Sequence, residues 1–290
     1  MSLEMIADYA CEVGEGPQWH PTEQRLYWAD IPGGRLFRYD PSTGEHEQFY
    51  DGDVVGGFTF QEDGALLLFM EMSAVAVWRD GNLSYIIDRL PGEEENRFND
   101  VFVDAGGRVF CGTMPKDSKR GPERLGSLYR LDTDGAITKV LTDVAISNGM
   151  GHTPDRTGLY YTDTLNMTID LFDYDVETGG ISNRRVFADT SDEEGMPDGM
   201  TVDAEGYVWS ARWDGSALIR YAPSGEVDRR VHFPVKKVTS VAFGGEGYSD
   251  IYATTGGGND KAAEGEQAGA LFRVTPGVSG VPEFFSRVRI

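Results

Sequence analysis

One short pattern recurs six times along the chain at nearly constant spacing. Each copy is a strand-like run of apolar and aromatic residues that follows a turn rich in Gly, Pro or Asp. The six runs begin at Leu26, Leu66, Val109, Leu159, Val208 and Ile251. Successive starts are 40, 43, 50, 49 and 43 residues apart. This period is the length of one blade of a β-propeller.

Each repeat has room for about four short strands, and no helical periodicity persists long enough to compete with them. We therefore predict an all-β fold, a six-bladed β-propeller with four-stranded blades, as a single domain over residues 1–290. We expect the N-terminal strand near Met5–Tyr9 to pair into the last blade beside Phe284–Val288, because this would close the ring and remove a sheet edge.

The charge balance restricts the possible partners. The chain has 26 Lys and Arg against 48 Asp and Glu, a formal net charge of −22. Such an acidic chain is a poor candidate for binding nucleic acid or an anionic membrane. The same acidity suggests a salt-adapted source as a hypothesis.

Targeting and redox signals are weak. The two cysteines, Cys11 and Cys111, are too few for a disulfide framework, and we expect two buried free thiols. We find neither an apolar run long enough to span a membrane nor a signal peptide. These features predict a cytoplasmic protein, and they leave its oligomeric state open.

Polar residues recur at one phase of the repeat. Counting back 10 or 11 residues from five of the anchors reaches Glu15, Asn99, Asn148, Asp198 and Ser240, and the second repeat has Gly56 there. This phase corresponds to the loop that enters the innermost strand of a blade, so these side chains should converge at one end of the channel. Two carboxylates with amide oxygens suit a divalent cation. The alternative is turn chemistry, because Asn-Gly and Asp-Gly pairs are common in turns.

Several motifs in this sequence resemble those of the regucalcin (senescence marker protein) and gluconolactonase family. They lie in the same order over almost the whole chain: Gly14–Pro17, Asn96–Asp100, Gly112–Met114, Ser147–Gly149, Phe172–Asp175, Ile181–Arg185, Pro197–Met200 and Phe243–Gly245. The family fold is a six-bladed propeller, which agrees with the repeat count.

The resemblance implies a metal-dependent lactonase that opens sugar lactones, such as gluconolactone or xylonolactone, to the aldonic acid. It implies that Glu15, Asn148 and Asp198 bind one divalent metal ion. It also implies that the substrate contacts Arg97, Asn99 and Glu123. The family leaves the metal open: calcium or zinc is favoured, and manganese, magnesium or iron is possible.

Asp198 is the candidate general base as well as a metal ligand. The next acidic residue of the Asn96–Asp100 motif, Asp100, is expected to brace its loop as a turn or strand cap, with a supporting role at the site as the alternative. Three other functions stay open: a calcium-binding regulatory protein, a partner-binding propeller without turnover, and a phosphotriesterase or arylesterase on the same scaffold.

Overall fold

Six four-stranded antiparallel sheets surround a central channel in the structure, a computed structural model that describes residues 2–116 and 125–290. The first strand of each sheet contacts the first strands of the two neighbouring sheets, so these six strands form the inner ring. The prediction of a six-bladed β-propeller with four-stranded blades is confirmed.

The chain begins with strand β1 (Leu3–Asp8), and five blades of four consecutive strands follow. Blade 1 contains β2 (Gly14–His20), β3 (Arg25–Asp30), β4 (Arg35–Asp40) and β5 (Glu45–Asp51). Blade 2 contains β6 (Val55–Phe60), β7 (Leu66–Met70), β8 (Val75–Arg79) and β9 (Asn82–Ile87). Blade 3 contains β10 (Asn96–Val103), β11 (Val109–Pro115), β12 (Gly126–Leu131) and β13 (Ile137–Val144).

Blade 4 contains β14 (Ser147–His152), β15 (Gly158–Asp163), β16 (Thr168–Asp175) and β17 (Gly180–Asp189). Blade 5 contains β18 (Met196–Val202), β19 (Val208–Trp213), β20 (Ala217–Tyr221) and β21 (Val227–His232). Blade 6 contains β22 (Val238–Gly244), β23 (Asp250–Thr255) and β24 (Ala270–Val274). Short helical segments are α1 (Lys261–Glu264) and the 3-10 turns Thr164–Asn166, Glu246–Tyr248 and Gly258–Asp260.

The N-terminal strand completes the sixth blade. β1 pairs antiparallel with β24, from Leu3 opposite Val274 to Asp8 opposite Ala270. Joining the two ends of the chain in one sheet closes the ring, as we predicted. The predicted neighbour was wrong, because Phe284–Val288 does not flank β1. Pro276 and Pro282 interrupt the stretch after β24, and proline has no N–H for a strand ladder, so the chain leaves the sheet.

The C-terminal segment, residues 276–290, instead crosses the face of the propeller where the inner strands end. The N–H of Gly280 donates to the carbonyl of Tyr248 in blade 6 at 2.9 Å. The N–H of Ser286 donates to Phe60 in blade 2 at 2.8 Å. The N–H of Arg287 donates to Gly107 in blade 3 at 2.9 Å. The carbonyl of Ser279 also accepts from the N–H of Ala204 in blade 5 at 2.9 Å, so the segment links four blades and covers this end of the channel.

The apolar core lies between the blades. Within the described residues, buried side chains form six clusters, one at each junction between adjacent blades. At the closing junction, Trp19, Trp28 and Phe37 of blade 1 pack with Tyr252 and Leu271 of blade 6. Inner strands such as β6 and β22 are buried along their whole length, because sheets flank them on both sides.

The cysteines and the helices bear on two further expectations. Cys11 and Cys111 are buried and free, as expected. Among residues 2–116 and 125–290, we find no helix with the length and apolar character that crossing a bilayer requires.

Candidate active site

The inner strand of every blade is irregular at the same level of the channel. In all six blades the pairing between the first and second strands shifts by one residue there. Such β-bulges redirect side chains and are frequent beside active sites. The residues in or next to them are Glu15 in β2, Asn99 and Asp100 in β10, Asn148 and Gly149 in β14, and Asp198 and Gly199 in β18.

The glycines in these bulges let neighbouring inner strands approach closely. A Cβ at Gly149 would lie 2.5 Å from the backbone nitrogen of Met200 in the next blade. A Cβ at Gly199 would lie 2.1 Å from Oγ of Ser240 in the blade after that. The interpretation of Asn148-Gly149 and Asp198-Gly199 as turns is wrong, because both pairs lie within strands. Close packing around the channel explains these glycines instead.

A short hydrogen-bond network connects blades 3 and 4 at this level. Nη1 of Arg97 donates to Oδ1 of Asn99 at 2.7 Å. Nδ2 of Asn99 donates to Oδ1 of Asn148 and to the carbonyl of Ser147, each at 2.8 Å. Both N–H groups of the Asn99 amide are therefore engaged within the protein, and only its Oδ1 retains a lone pair for a substrate hydroxyl.

Carboxylates at this end of the channel interact electrostatically with one another. Burial raises the pKa of Glu15 well above its ordinary value, and the carboxylates of Asp198 and Asp100 raise it further. Burial likewise raises the pKa of Asp198, with Asp100 adding to the effect. The guanidinium of Arg97 opposes both shifts. This cluster has more negative charge than its cation can offset when all three acids are ionised.

A second buried cation lies behind Asp198. Arg212 is fully buried, and its guanidinium donates to the backbone carbonyls of Thr190, Glu194 and Gly195. Arg212 follows Ala211, the residue opposite the Asp198 bulge in β19. Burial lowers the pKa of Arg212, and interactions with Tyr221, Glu193 and Asp198 partly restore it. Arg212 therefore stabilises the loop over residues 190–195 and adds positive potential near Asp198.

The side chains at the channel fit a divalent cation. Glu15 and Asp198 supply buried carboxylate oxygens that repel each other, and a bound cation would remove that repulsion. Asn148 supplies an amide oxygen, and hard divalent cations bind oxygen ligands of these kinds. No group of three or more His, Cys, Asp and Glu side chains placed to bind a metal is present in residues 2–116 and 125–290. The Asn148 oxygen would add a neutral ligand to the two carboxylates.

The structure places five of the six predicted site residues at one end of the channel. Arg97, Asn99 and Asn148 are in direct contact, and Glu15 and Asp198 interact electrostatically. The sixth, Glu123, lies outside the described residues.

Three residues at this site are not assigned correctly from the sequence. Asp100 was expected to cap a turn, but it lies in a bulge and lines the channel. Asp100 directly follows Asn99, which lies at the recurring polar position of the repeat, and this could have indicated that Asp100 is at the channel. Arg212 gave no signal, because a lone arginine after a strand has no distinctive spacing. Thr164, which contacts Asn148, lies 16 residues away in sequence and gave none either.

Comparison with known proteins identifies relatives over the whole chain. The sequence model of the family described as "SMP-30/Gluconolactonase/LRE-like region" matches residues 13–257. The chain is 46% identical over 300 residues to Pentonolactonase XacC of Haloferax volcanii, with 100% of both chains covered. It is 34% identical over 292 residues to regucalcin of Gallus gallus, with 98% of both covered.

Solved structures include the calcium-binding protein regucalcin of Agrobacterium tumefaciens str. C58. It superposes with a TM-score of 0.90 at 26% identity, covering 98% of this chain and 97% of the other. The similarity thus extends beyond sequence to the arrangement of the blades.

Proposed function

Because the chain belongs to the SMP-30/gluconolactonase/LRE-like family, we propose that it is a lactonase that hydrolyses sugar lactones to aldonic acids. The pentonolactonase of Haloferax volcanii, which is 46% identical over its full length, supports this activity. The observation that carries the proposal is the ring of bulges, which brings Glu15, Asn148 and Asp198 to one channel end beside Arg97.

Lactone hydrolysis needs an electrophile for the carbonyl, an activated water and a proton for the departing ring oxygen. Glu15, Asn148 and Asp198 would hold a divalent cation, which when bound supplies a Lewis acid that stabilises negative charge on the carbonyl oxygen. The mixed oxygen set suits calcium, magnesium or manganese, and the calcium-binding relative from Agrobacterium supports calcium. Zinc and iron are the other ions to test.

Asp198 is the proposed general base. Burial raises its pKa in the metal-free protein, and a bound cation would offset that shift, so the proposed role rests on its place at the same channel end as Arg97 and Asn99. Arg97 is proposed to bind the sugar hydroxyls: its Nη1 is bonded within the protein, and the guanidinium has further donors. Asn99 is proposed to accept from a hydroxyl through Oδ1. Glu123, outside the described residues, remains a proposed substrate contact.

The experiment is proton release from fresh glucono-1,5-lactone and xylono-1,4-lactone. Metal-stripped protein is assayed with Ca²⁺, Mg²⁺, Mn²⁺, Zn²⁺ or Fe²⁺ and without added metal, and spontaneous opening is subtracted. We expect turnover that depends on added ion. Tight ion binding without turnover of either lactone would instead favour a calcium-binding regulatory role or another ester substrate.

The variant Asp198→Asn tests whether Asp198 is needed for turnover rather than for folding. We expect turnover to fall by about 100-fold or more, because the variant loses both a charged ligand and the base. The metal-free variant should melt no lower than the metal-free parent, because it lacks one of the carboxylates that repel Glu15. Turnover is measured by proton release and melting by circular dichroism. A folded variant with full activity would remove Asp198 from the mechanism.

The proposed location is the cytoplasm. The two buried free thiols fit a reducing compartment.

A further inference from the structure

A chain of four hydrogen bonds runs through the candidate site across three blades. It starts at Arg97 and passes through Asn99 to Oδ1 of Asn148, as described above. Nδ2 of Asn148 then donates to Oγ1 of Thr164 at 2.6 Å. Oγ1 of Thr164 donates to the carbonyl of Pro197 at 2.9 Å. Asn99, Asn148 and Thr164 are all buried, so water does not compete for these groups.

The two ends of this chain fix the direction of every bond in it. A guanidinium only donates, so Arg97 requires the oxygen of Asn99 to face it and leaves the Asn99 nitrogen to donate onward. A carbonyl only accepts, so Pro197 takes the hydroxyl hydrogen of Thr164. The Thr164 oxygen can then only accept, and it requires the nitrogen of Asn148 on its side.

We propose that Thr164 is a positioning residue that holds the Asn148 amide with its oxygen toward the channel. The inference rests on the proposed function, in which that oxygen binds a divalent cation. Without the hydroxyl, Nδ2 of Asn148 loses its buried acceptor, and the bond from Nδ2 of Asn99 alone is left to hold the amide in this orientation. A rotated amide would present its NH₂ group, which repels a cation.

The same hydroxyl also links the two blades that carry cation-binding residues. Thr164 begins the 3-10 turn after β15 in blade 4, and its acceptor Pro197 immediately precedes Asp198 in blade 5. Second-sphere contacts of this kind set the orientation of metal ligands and change metal affinity by about 10- to 100-fold.

A matched control lies two residues earlier in the sequence. Thr162 is fully buried near the end of β15, and its Oγ1 has no hydrogen-bond partner among the residues that the structure describes. Thr162→Val and Thr164→Val therefore make the same chemical change in the same region of blade 4. They differ in whether the hydroxyl that is removed belongs to the network.

The test is calorimetric titration of Ca²⁺ and Mn²⁺, separately, into metal-stripped protein without substrate. The parent, Thr164→Val, Thr164→Ser and Thr162→Val are compared, and their metal-free melting temperatures are recorded. We expect Thr164→Val to weaken binding of the ion that the parent binds by about tenfold or more. Thr164→Ser should restore it, because serine keeps the hydroxyl, and Thr162→Val should bind like the parent.

Three results would overturn the inference. Parent-like binding by Thr164→Val would refute the positioning role and leave the proposed function standing. If both valine variants bind the ion more weakly than the parent by the same factor, the effect is one of general packing. This would also refute the positioning role and leave the proposed function standing. A parent that binds neither ion would refute the calcium or manganese site together with this inference. If Thr164→Val does not fold, Thr164→Ala replaces it with the same expectation.

Discussion

Two buried glutamates in this protein have opposite shifts in pKa. Burial alone would raise the pKa of Glu93, but hydrogen bonds from Asn96, Tyr129, Thr113 and Ser127 outweigh it, and the pKa lies below its ordinary value. Burial raises the pKa of Glu15, and the nearby carboxylates of Asp198 and Asp100 raise it further. Donors around a buried acid thus mark a structural role, and other acids around it mark a site that can hold a cation.

Glu93→Gln tests the structural role. At pH 7 we expect the free energy of unfolding to fall by about 2 kcal/mol, because several buried donors lose a charged acceptor. A carboxylate whose folded pKa is lowered stabilises the protein above its unfolded pKa of about 4.3, and this contribution disappears as the pH falls through its folded pKa. The difference between parent and variant should therefore shrink below about pH 4.

The measurement is urea unfolding at several pH values. The matched control is Glu62→Gln, the same change at an exposed residue. A loss of stability in Glu93→Gln that does not depend on pH would refute the electrostatic explanation.

At the scale of secondary-structure elements, the bulges and the closing strand matter most. Every inner strand carries its bulge at the same level, so six short irregularities build one ring of side chains. A closed propeller also requires a connection between its first and last blades. Here the joint is noncovalent: β1 supplies the fourth strand of blade 6.

Deletion of residues 1–8 tests the closing strand. The deletion removes the ladder between β1 and β24 and exposes the edge of β24. We expect the melting temperature to fall by at least about 5 °C, through the loss of several backbone hydrogen bonds. The exposed edge should also promote association of the variant, which light scattering would detect.

A deletion of residues 1–2 alone is the control, because it leaves β1 intact, removes only the contacts of Ser2 with Thr275, and should lower the melting temperature much less. An unchanged melting temperature in the longer deletion would show that the pairing of β1 with β24 does not stabilise the propeller.

At the scale of the whole molecule, the dominant property is a formal charge of −22. Mutual repulsion among surface acids opposes the compact state. Salt weakens that repulsion, because the Debye length falls from about 10 Å at 0.1 M to about 3 Å at 1 M. We expect the melting temperature to rise by several degrees between 0.1 and 1 M KCl.

The control is a triple variant, Glu45→Gln, Glu177→Gln and Glu266→Gln, which neutralises three exposed acids. Its rise in melting temperature with KCl should be smaller than that of the parent. No rise in the parent would show that the acidic surface carries no penalty that salt can relieve.

The architecture could be predicted from the sequence, because the repeat reports a local property. Each blade contains its own alternation of strands and turns, so the six runs that begin at Leu26 through Ile251 could be counted without knowledge of the folded chain. The spacing of Glu15, Asn99, Asn148 and Asp198 in the repeat also predicted that they lie at one level.

Only the tertiary structure decided how those residues act on one another. Whether the Asn148 amide presents oxygen or nitrogen depends on Thr164, and through it on a carbonyl in the next blade. The pKa of Glu15 is raised by burial within the folded ring and further by the charge of Asp198, 183 positions away. The path of residues 276–290 depends on acceptors in three blades. These properties arise from contacts between distant parts of the chain, and a local sequence pattern does not contain them.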